Sequence, residues 1–351
     1  MGLLHLEMKP LKDPYSLNSP DLPDPGKKVF LKRQPHMGFI FIKALAKGMF
    51  RPRTLADPGQ VEKTGIILKG QVPSKERIRR YRTVCGFASC GESGEAEEIL
   101  PAPFLQTLFV GLLGRYITSK FFPLTPLGLI HTHQSMEQFR PVLLGEVLDL
   151  CCSLREMEQT PKGIKTQFLL QVRSREDLVW KGISEFLTRS GEKTGTKKER
   201  KEEVPLKIRE IIPVPRDTGR RYASVSGDYN PHHLYGITAR LFGFSSPIAH
   251  GMWSLARVTA ELEKTFHPGG AFRIEAAFKR PVFLPARISL GHECGPARGE
   301  TEESPGTGTN ASGIPLENSN DPGSHVDFEL RDADRGLPHL KGRLILPVGP
   351  V

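Results

Sequence analysis

Apolar positions along this chain recur with two periods. Over Phe104–Ser119, Leu105, Leu108, Phe109, Leu112, Leu113 and Tyr116 fall three and four residues apart, which predicts a long helix with one buried face. Met252–Phe266 reads the same way through Trp253, Leu255, Ala256, Val258, Leu262 and Phe266. After each helix the period shortens to two. Val, Ile, Phe and Thr alternate with polar residues over Leu127–Met136, Glu146–Leu154, Thr166–Arg173 and Leu178–Leu187, and again over Ala271–Phe278, Ala286–His292, Val326–Arg331 and Leu340–Leu346. Such alternation predicts half-buried antiparallel strands. A long helix followed by a meander of strands, twice over, predicts an α+β chain in which two antiparallel sheets each wrap a central helix.

The two halves also match residue by residue. Arg79-Arg80-Tyr81-Arg82-Thr83-Val84-Cys85-Gly86 aligns with Arg220-Arg221-Tyr222-Ala223-Ser224-Val225-Ser226-Gly227, an offset of 141 (220 − 79). Arg140-Pro141-Val142-Leu143-Leu144 aligns with Arg280-Pro281-Val282-Phe283-Leu284, and Leu150 with Leu290, at an offset of 140 (280 − 140). Lys181-Gly182 meets Lys341-Gly342 only at 160 (341 − 181), so the second copy carries about 20 extra residues after Leu290. Gly291–Ser324, rich in Gly, Pro, Ser, Asn and Glu, reads as that insertion, a flexible loop between two strands. The expected organisation is therefore a basic, partly helical segment over 1–62, a first domain over 63–189, a linker over 190–203 and a second domain over 204–351 that holds the 291–324 insertion. Within the first segment, Lys27–Arg53 surrounds the apolar run Met37–Ile42 with basic residues, read as a helix packed on the first domain with its charges in water.

One stretch concentrates chemistry. Ser226-Gly227-Asp228-Tyr229-Asn230-Pro231-His232-His233 places a carboxylate and an imidazole five residues apart across an Asn-Pro turn. Proline fixes its own φ and biases Asn230 away from helix, so the turn can fold Asp228 and His233 into one cleft. A histidine beside a carboxylate is a sensible proton-transfer pair near neutral pH. Downstream, Phe242-Gly243-Phe244 leads to Pro247-Ile248-Ala249-His250-Gly251-Met252, where Gly251 stands at the start of the second helix. A backbone N–H there, at the positive end of the helix dipole, could hold a developing oxyanion, and a glycine lets a substrate approach closely. His250 either touches a substrate or closes a local hydrogen bond. Tyr229 and Ser254 are further candidate pocket residues.

The run Asp-x-Asn-Pro-x-His, with Gly-Phe and Ile-x-His-Gly-Met after it, resembles the hydratase 2 motif of the MaoC-like dehydratases and R-specific enoyl-CoA hydratases. The resemblance is specific over Tyr222–Trp253 and extends at the level of the fold over Lys63–Leu346. It implies a tandem (double) hot-dog fold and a hydro-lyase that reversibly hydrates trans-2-enoyl thioesters to (3R)-3-hydroxyacyl thioesters. Asp228 and His233 would hold and activate one water, Asn230 would shape their turn, and the Gly251 N–H would polarise the thioester carbonyl. The implied partner is an acyl-CoA or acyl-carrier-protein thioester, with coenzyme A or phosphopantetheine as part of the substrate and neither metal nor redox cofactor required. One departure is His232, since the family has an aliphatic residue before its histidine; spacing favours His233. At an offset of 141 the first copy carries Phe87, Ser89 and Glu92 where the second has Asp228, Asn230 and His233, so the first half is expected to be a degenerate scaffold that houses the acyl tail. The alternative is a catalytically silent acyl-thioester-binding protein of the same fold, with the insertion obstructing the site.

Composition narrows the remaining classes. A net charge of +10 favours an anionic partner, but no nucleic-acid motif accompanies it, and glutamates interleave the basic residues of the linker. The most apolar stretch, Phe104–Ile117, is too short and too interrupted to span a bilayer. Five cysteines, with one adjacent pair and no paired CxxC spacing, argue against a disulfide framework or a zinc site. His131-Thr132-His133 alternates on a strand without a further ligand at metal spacing, and with His5, His36, His267, His292, His325 and His339 it is read as structural. Reduced cysteines and the lack of a leader-like start at Met1-Gly2-Leu3-Leu4-His5 are read as cytoplasmic. A homodimer is compatible with all of this.

Overall fold

The two predicted sheets merge into one. In the computed structural model, which describes residues 26–35, 38, 40, 43, 44, 64–88, 99–126, 128–189, 205–266, 270–295 and 325–346, eleven strands form a continuous sheet. They are β1 (Lys27–Leu31), β2 (Thr64–Gln71), β3 (Leu129–Gln138), β4 (Leu148–Thr160), β5 (Gly163–Ser174), β6 (Asp177–Arg189), β7 (Ile208–Val214), β8 (Phe272–Phe278), β9 (Ala286–Gly295), β10 (His325–Asp332) and β11 (Pro338–Ile345). Their spatial order is β1-β2-β4-β5-β6-β3-β8-β11-β10-β9-β7. Read from the middle outward, β3-β6-β5-β4-β2 and β8-β11-β10-β9-β7 are the same five-strand order.

The halves join where β3 pairs antiparallel with β8, and Ser135 lies opposite Glu275, its own repeat equivalent at the offset of 140. A local pseudo-twofold axis therefore passes between them. Each repeated sequence segment has a structural reason. The Tyr-x-(Ser/Thr)-Val-x-Gly stretches are helices, α1 (Lys75–Cys85) and α4 (Thr218–Ser226), each ended by a glycine in the left-handed region, Gly86 at φ 78° and Gly227 at φ 81°. That conformation is cheap only for glycine. The two helices pack at the pseudo-axis, with the Tyr81 and Tyr222 rings 6.1 Å apart. The Arg-Pro-Val segments hold the approach to the long helices: Leu100 N–H donates to Val142 O at 2.8 Å and Ala249 N–H to Val282 O at 2.9 Å. The Lys-Gly pairs leave room for an aromatic ring, since a Cβ at Gly182 would lie 2.5 Å from the Trp180 ring and one at Gly342 2.5 Å from the Phe328 ring.

The central helix of the second half is α6 (Gly251–Phe266), with Trp253, Leu255, Ala256, Val258 and Leu262 buried against the sheet. That of the first half is broken in two, α2 (Ala102–Thr107) and α3 (Val110–Ile117). At the break Leu108 and Phe109 donate to carbonyls only three residues back, Leu105 at 3.1 Å and Gln106 at 3.0 Å, which tightens the turn and interrupts the α-ladder. Both halves thus wrap an antiparallel sheet around a central helix, the double hot-dog fold.

Two further sequence expectations need correction. Lys27–Leu31 is not part of a basic helix: it pairs parallel with β2, satisfying an edge that would otherwise expose unpaired backbone groups. Within that segment Ile40 packs on the first half, buried against Gly114. Gly291–Gly295, assigned to the insertion, continues β9 because it pairs with Glu329–His325 of β10 despite its polar side chains. The insertion itself falls between β9 and β10, and residues 296–324, like the linker 190–203 and most of 1–62, lie outside the described residues. No described helix is long and apolar enough to cross a membrane.

The crowding at the Lys-Gly positions yields a stability test. A Cβ at Gly342 would also sit 2.1 Å from the Glu275 main-chain oxygen, in the strand beside it, so backbone must move. Gly342→Ala is expected to lose about 1–3 kcal/mol or more of unfolding free energy in urea titration, as overpacked sites do. Unchanged stability would mean that β8 and β11 are not this closely apposed.

Candidate active site

After Gly227 the chain leaves α4 in a turn built around one carboxylate. Asp228 Oδ1 accepts from the Asn230 side chain at 2.7 Å and from the Asn230 backbone N–H at 3.2 Å, while the Asp228 N–H donates to Ser226 Oγ at 3.1 Å. Asn230, at φ −57° and ψ 126°, is extended as a residue before proline should be, and Pro231–His233 then forms a single 3₁₀ turn. This turn swings His233 inward, where it is buried, while the Asp228 side chain stays 27% exposed.

The histidine is fixed in one tautomer. Its Nδ1 lies 2.8 Å from the Ile248 carbonyl oxygen, which can only accept, so Nδ1 carries the hydrogen and Nε2 keeps a free lone pair. Desolvation by burial, then the neighbouring His250 and His232, hold its pKa well below the ordinary histidine value, so the ring is neutral at pH 7. His250 stacks on it, ring centroids 3.6 Å apart. His250 Nε2 lies 2.9 Å from the Asp228 main-chain oxygen and therefore donates to it, the local hydrogen bond that ties the start of α6 to the Asp228 turn. Burial pushes the His250 pKa down to about 3.

Ligating atoms of Asp228, His233 and His250 all lie within 4.8 Å of one another. The donor set does not suit a metal ion, because His250 Nε2 is committed as a donor and its ring stacks on His233 instead of converging with it. What the cluster offers is one carboxylate, the His233 Nε2 lone pair and the buried His250 Nδ1, which has no hydrogen-bond partner among the described residues.

Other expected residues fall around this pair. Gly251 is the first residue of α6, and a Cβ there would come 3.0 Å from the Phe278 ring, so the glycine admits a protein side chain. Ser254 is buried one turn on, its N–H donating to His250 O at 3.2 Å. Tyr229 is half exposed at the rim. His232 packs on the His233 ring, centroids 4.0 Å apart, and against the Phe242 and Phe244 rings, each at 5.6 Å. In the first half Phe87 is buried on Tyr81, while Ser89 and Glu92 lie outside the described residues. The constant offset does not carry that far: the bridges Ile99–Leu143 and Ile248–Phe283 are equivalent, which puts Pro101 and Ala102 in the places of His250 and Gly251.

Two supporting residues escaped the sequence reading. Gly219 packs on the turn itself: a Cβ would lie 2.0 Å from the His233 carbonyl oxygen. Its repeat counterpart is Ile78, a difference visible in the alignment at 141. Arg77, from the first half, donates through Nε to Val225 O at 2.7 Å and through Nη2 to Ser226 O at 3.3 Å, holding the end of the helix that carries Asp228. No local pattern announces a contact 148 residues away.

Comparison with known proteins finds relatives of this sequence and fold. Residues 191–312 match the model of the MaoC like domain. That match falls on the second half of this chain and the linker before it. The curated 3-hydroxyacyl-thioester dehydratase X of Mycobacterium tuberculosis is 33% identical over 180 residues, which is 50% of this chain and 62% of that protein. The crystal structure of HtdX from the same organism superposes with a TM-score of 0.62 at 25% identity, covering 80% of this chain and 98% of that one. A further Mycobacterium tuberculosis protein, described as having a double hotdog fold, matches with a TM-score of 0.50 at 9% identity over 80% of this chain and 96% of its own. The last shows likeness of fold alone.

The neutral histidines set a pH dependence. His250 and His233 have folded pKa values below their unfolded value of about 6.5, so the unfolded chain binds protons that the folded chain refuses. Their contribution is fully present above pH 6.5 and is lost as pH falls through 6.5 toward the folded values. Unfolding free energy from urea titration is expected to fall between pH 7 and pH 4, approaching about 1.4 kcal/mol per pH unit for each histidine. His250→Gln should flatten that slope. A slope unaffected by the substitution would show that His250 titrates freely in the folded protein.

Proposed function

We propose that this protein reversibly hydrates trans-2-enoyl thioesters to (3R)-3-hydroxyacyl thioesters, with Asp228 and His233 acting together on one water. The observation that carries the reading is their separation. Ligating atoms of the carboxylate and the imidazole are within 4.8 Å of each other, no hydrogen bond joins the two, and Asp228 Oδ2 and His233 Nε2 are each left as acceptors. A water there can donate one hydrogen to Asp228 and the other to His233 Nε2.

The chemistry follows from that placement. As the water oxygen adds to C3, His233 Nε2 accepts a proton, a role that its neutral state permits. Charge passes through the double bond to the thioester carbonyl, where the Gly251 N–H stabilises the enolate-like oxygen. C2 then takes a proton back from the pair, and dehydration runs the same steps in reverse. Asn230 keeps the carboxylate aimed, and Tyr229, His250 and Ser254 frame the pocket. Coenzyme A or a carrier-protein phosphopantetheine enters as part of the substrate. The related 3-hydroxyacyl-thioester dehydratase X supports the reaction class.

The test is loss of enoyl-thioester absorbance with crotonyl-CoA and a longer-chain enoyl-CoA. Asp228→Asn and His233→Ala are each expected to lower kcat by about 10²- to 10⁴-fold with the fold retained, and chiral analysis of the wild-type product should return the 3R alcohol. A well-folded wild type inert on coenzyme A and carrier-protein substrates of every chain length would instead favour a silent thioester-binding protein.

A further inference from the structure

A concavity is lined in part by the chain segments that flank His233 and Ile248. It has a volume of about 320 Å³ and is lined by Arg216, Arg220, Tyr235, Gly236, Arg240 and the segment Ser245-Ser246-Pro247. Three guanidinium groups border it and no carboxylate does. Arg220 is positioned by the fold: Nη1 donates to Leu234 O at 3.2 Å, and its guanidinium lies 5.2 Å from the centre of the Tyr235 ring. Arg216 and Arg240 are exposed. Neither has an ion pair with an acid among the described residues.

Three like charges converging on one hollow repel one another, an arrangement that an anionic ligand relieves. Guanidinium forks with nearby serine hydroxyls suit the tetrahedral oxygens of phosphate, which accept bidentate hydrogen bonds. The location specifies whose phosphate. Leu234 and Tyr235 follow His233 directly, and Ser245–Pro247 run directly into Ile248, whose carbonyl fixes the His233 ring. The two walls of the hollow are therefore the two strands of chain that build the candidate active site.

We infer that the hollow bordered by Arg216, Arg220 and Arg240 binds a phosphate of the group that carries the acyl chain, and so anchors the thioester while its reactive end reaches Asp228 and His233. This rests on the thioester reading above and adds to it a phosphate anchor with named residues. The shared chemistry is a phosphorylated pantetheine arm, whose phosphate comes either from coenzyme A or from a carrier protein.

Calorimetry without turnover tests it. Binding of coenzyme A, dephospho-coenzyme A, 4′-phosphopantetheine and pantetheine is measured for the wild type, for the double variant Arg216→Gln/Arg240→Gln, and for Lys162→Gln as a single-charge control on the β4–β5 turn. The phosphorylated ligands should bind the wild type at least tenfold more tightly than pantetheine. The double variant should lower that ratio roughly 10- to 100-fold, the range for two lost hydrogen bonds to a charged group, and Lys162→Gln should keep it. A drop from coenzyme A to dephospho-coenzyme A assigns the hollow to the 3′-phosphate. Equal binding of coenzyme A and 4′-phosphopantetheine assigns it to the phosphate that a carrier-protein substrate also bears. Equal affinity for coenzyme A and pantetheine, or a ratio unchanged in the double variant, overturns the inference. Phosphate-dependent binding in a protein that hydrates no thioester would defeat the hydratase reading and leave this one standing.

Discussion

The rest of the molecule depends on the pairing of β3 with β8. Six residue pairs there join a six-strand half and a five-strand half into one sheet, and the Ser135–Glu275 register sets the pseudo-twofold axis. Had the register slipped by one residue, every side chain on β8 would have changed face and the two cores could not both close. The same axis brings α1 against α4, so each half supports a helix end in the other. Trp253 Nε1 donates to Val84 O at 3.0 Å in one direction and Arg77 Nε to Val225 O at 2.7 Å in the other. Val84 and Val225 are repeat equivalents, and different side chains satisfy the same orphan carbonyl at the two ends.

Asymmetry of chemistry is built on this symmetry of backbone by a few local changes. The second half has Gly219 where the first has Ile78, and only the glycine leaves room for a turn that folds back over the helix. It also has a longer path from the helix-ending glycine to the bridge before the central helix, Gly227 to Ile248 against Gly86 to Ile99. That added length carries the Asn-Pro turn, His233 and the short helix α5 (Gly236–Leu241). The shorter path of the first half, residues 86–99, holds no histidine, and Phe87 occupies the Asp228 place as core. The first half contributes structure, through Arg77, to a site that belongs to the second.

Much of this was legible in the sequence because it rests on local physics. Eight of the eleven strands follow from period-two alternation, β1, β2 and β7 having gone unassigned, and α6 follows from its apolar stripe. The two offsets, 140 and 160, located an insertion that the β9–β10 connection contains. What stayed hidden required distance or competing interactions. The break between α2 and α3 comes from three-residue hydrogen bonds that leave the apolar periodicity intact. Lys27–Leu31 looked like a basic solvated face, since its strand character exists only beside β2. Within the site, Asp228, Asn230, Pro231 and His233 are close in sequence and could be read together, whereas the Ile248 carbonyl that selects the His233 tautomer comes from a separate loop.

The most direct test of the account is the structure of the chain with an unreactive trans-2-enoyl thioester analogue bound. The account predicts C3 beside a single water shared by the Asp228 carboxylate and His233 Nε2, with the carbonyl oxygen on the Gly251 N–H and the acyl tail running toward the first half. An analogue whose C3 lies in the first half near Phe87, or away from any water held by Asp228 and His233, would contradict it.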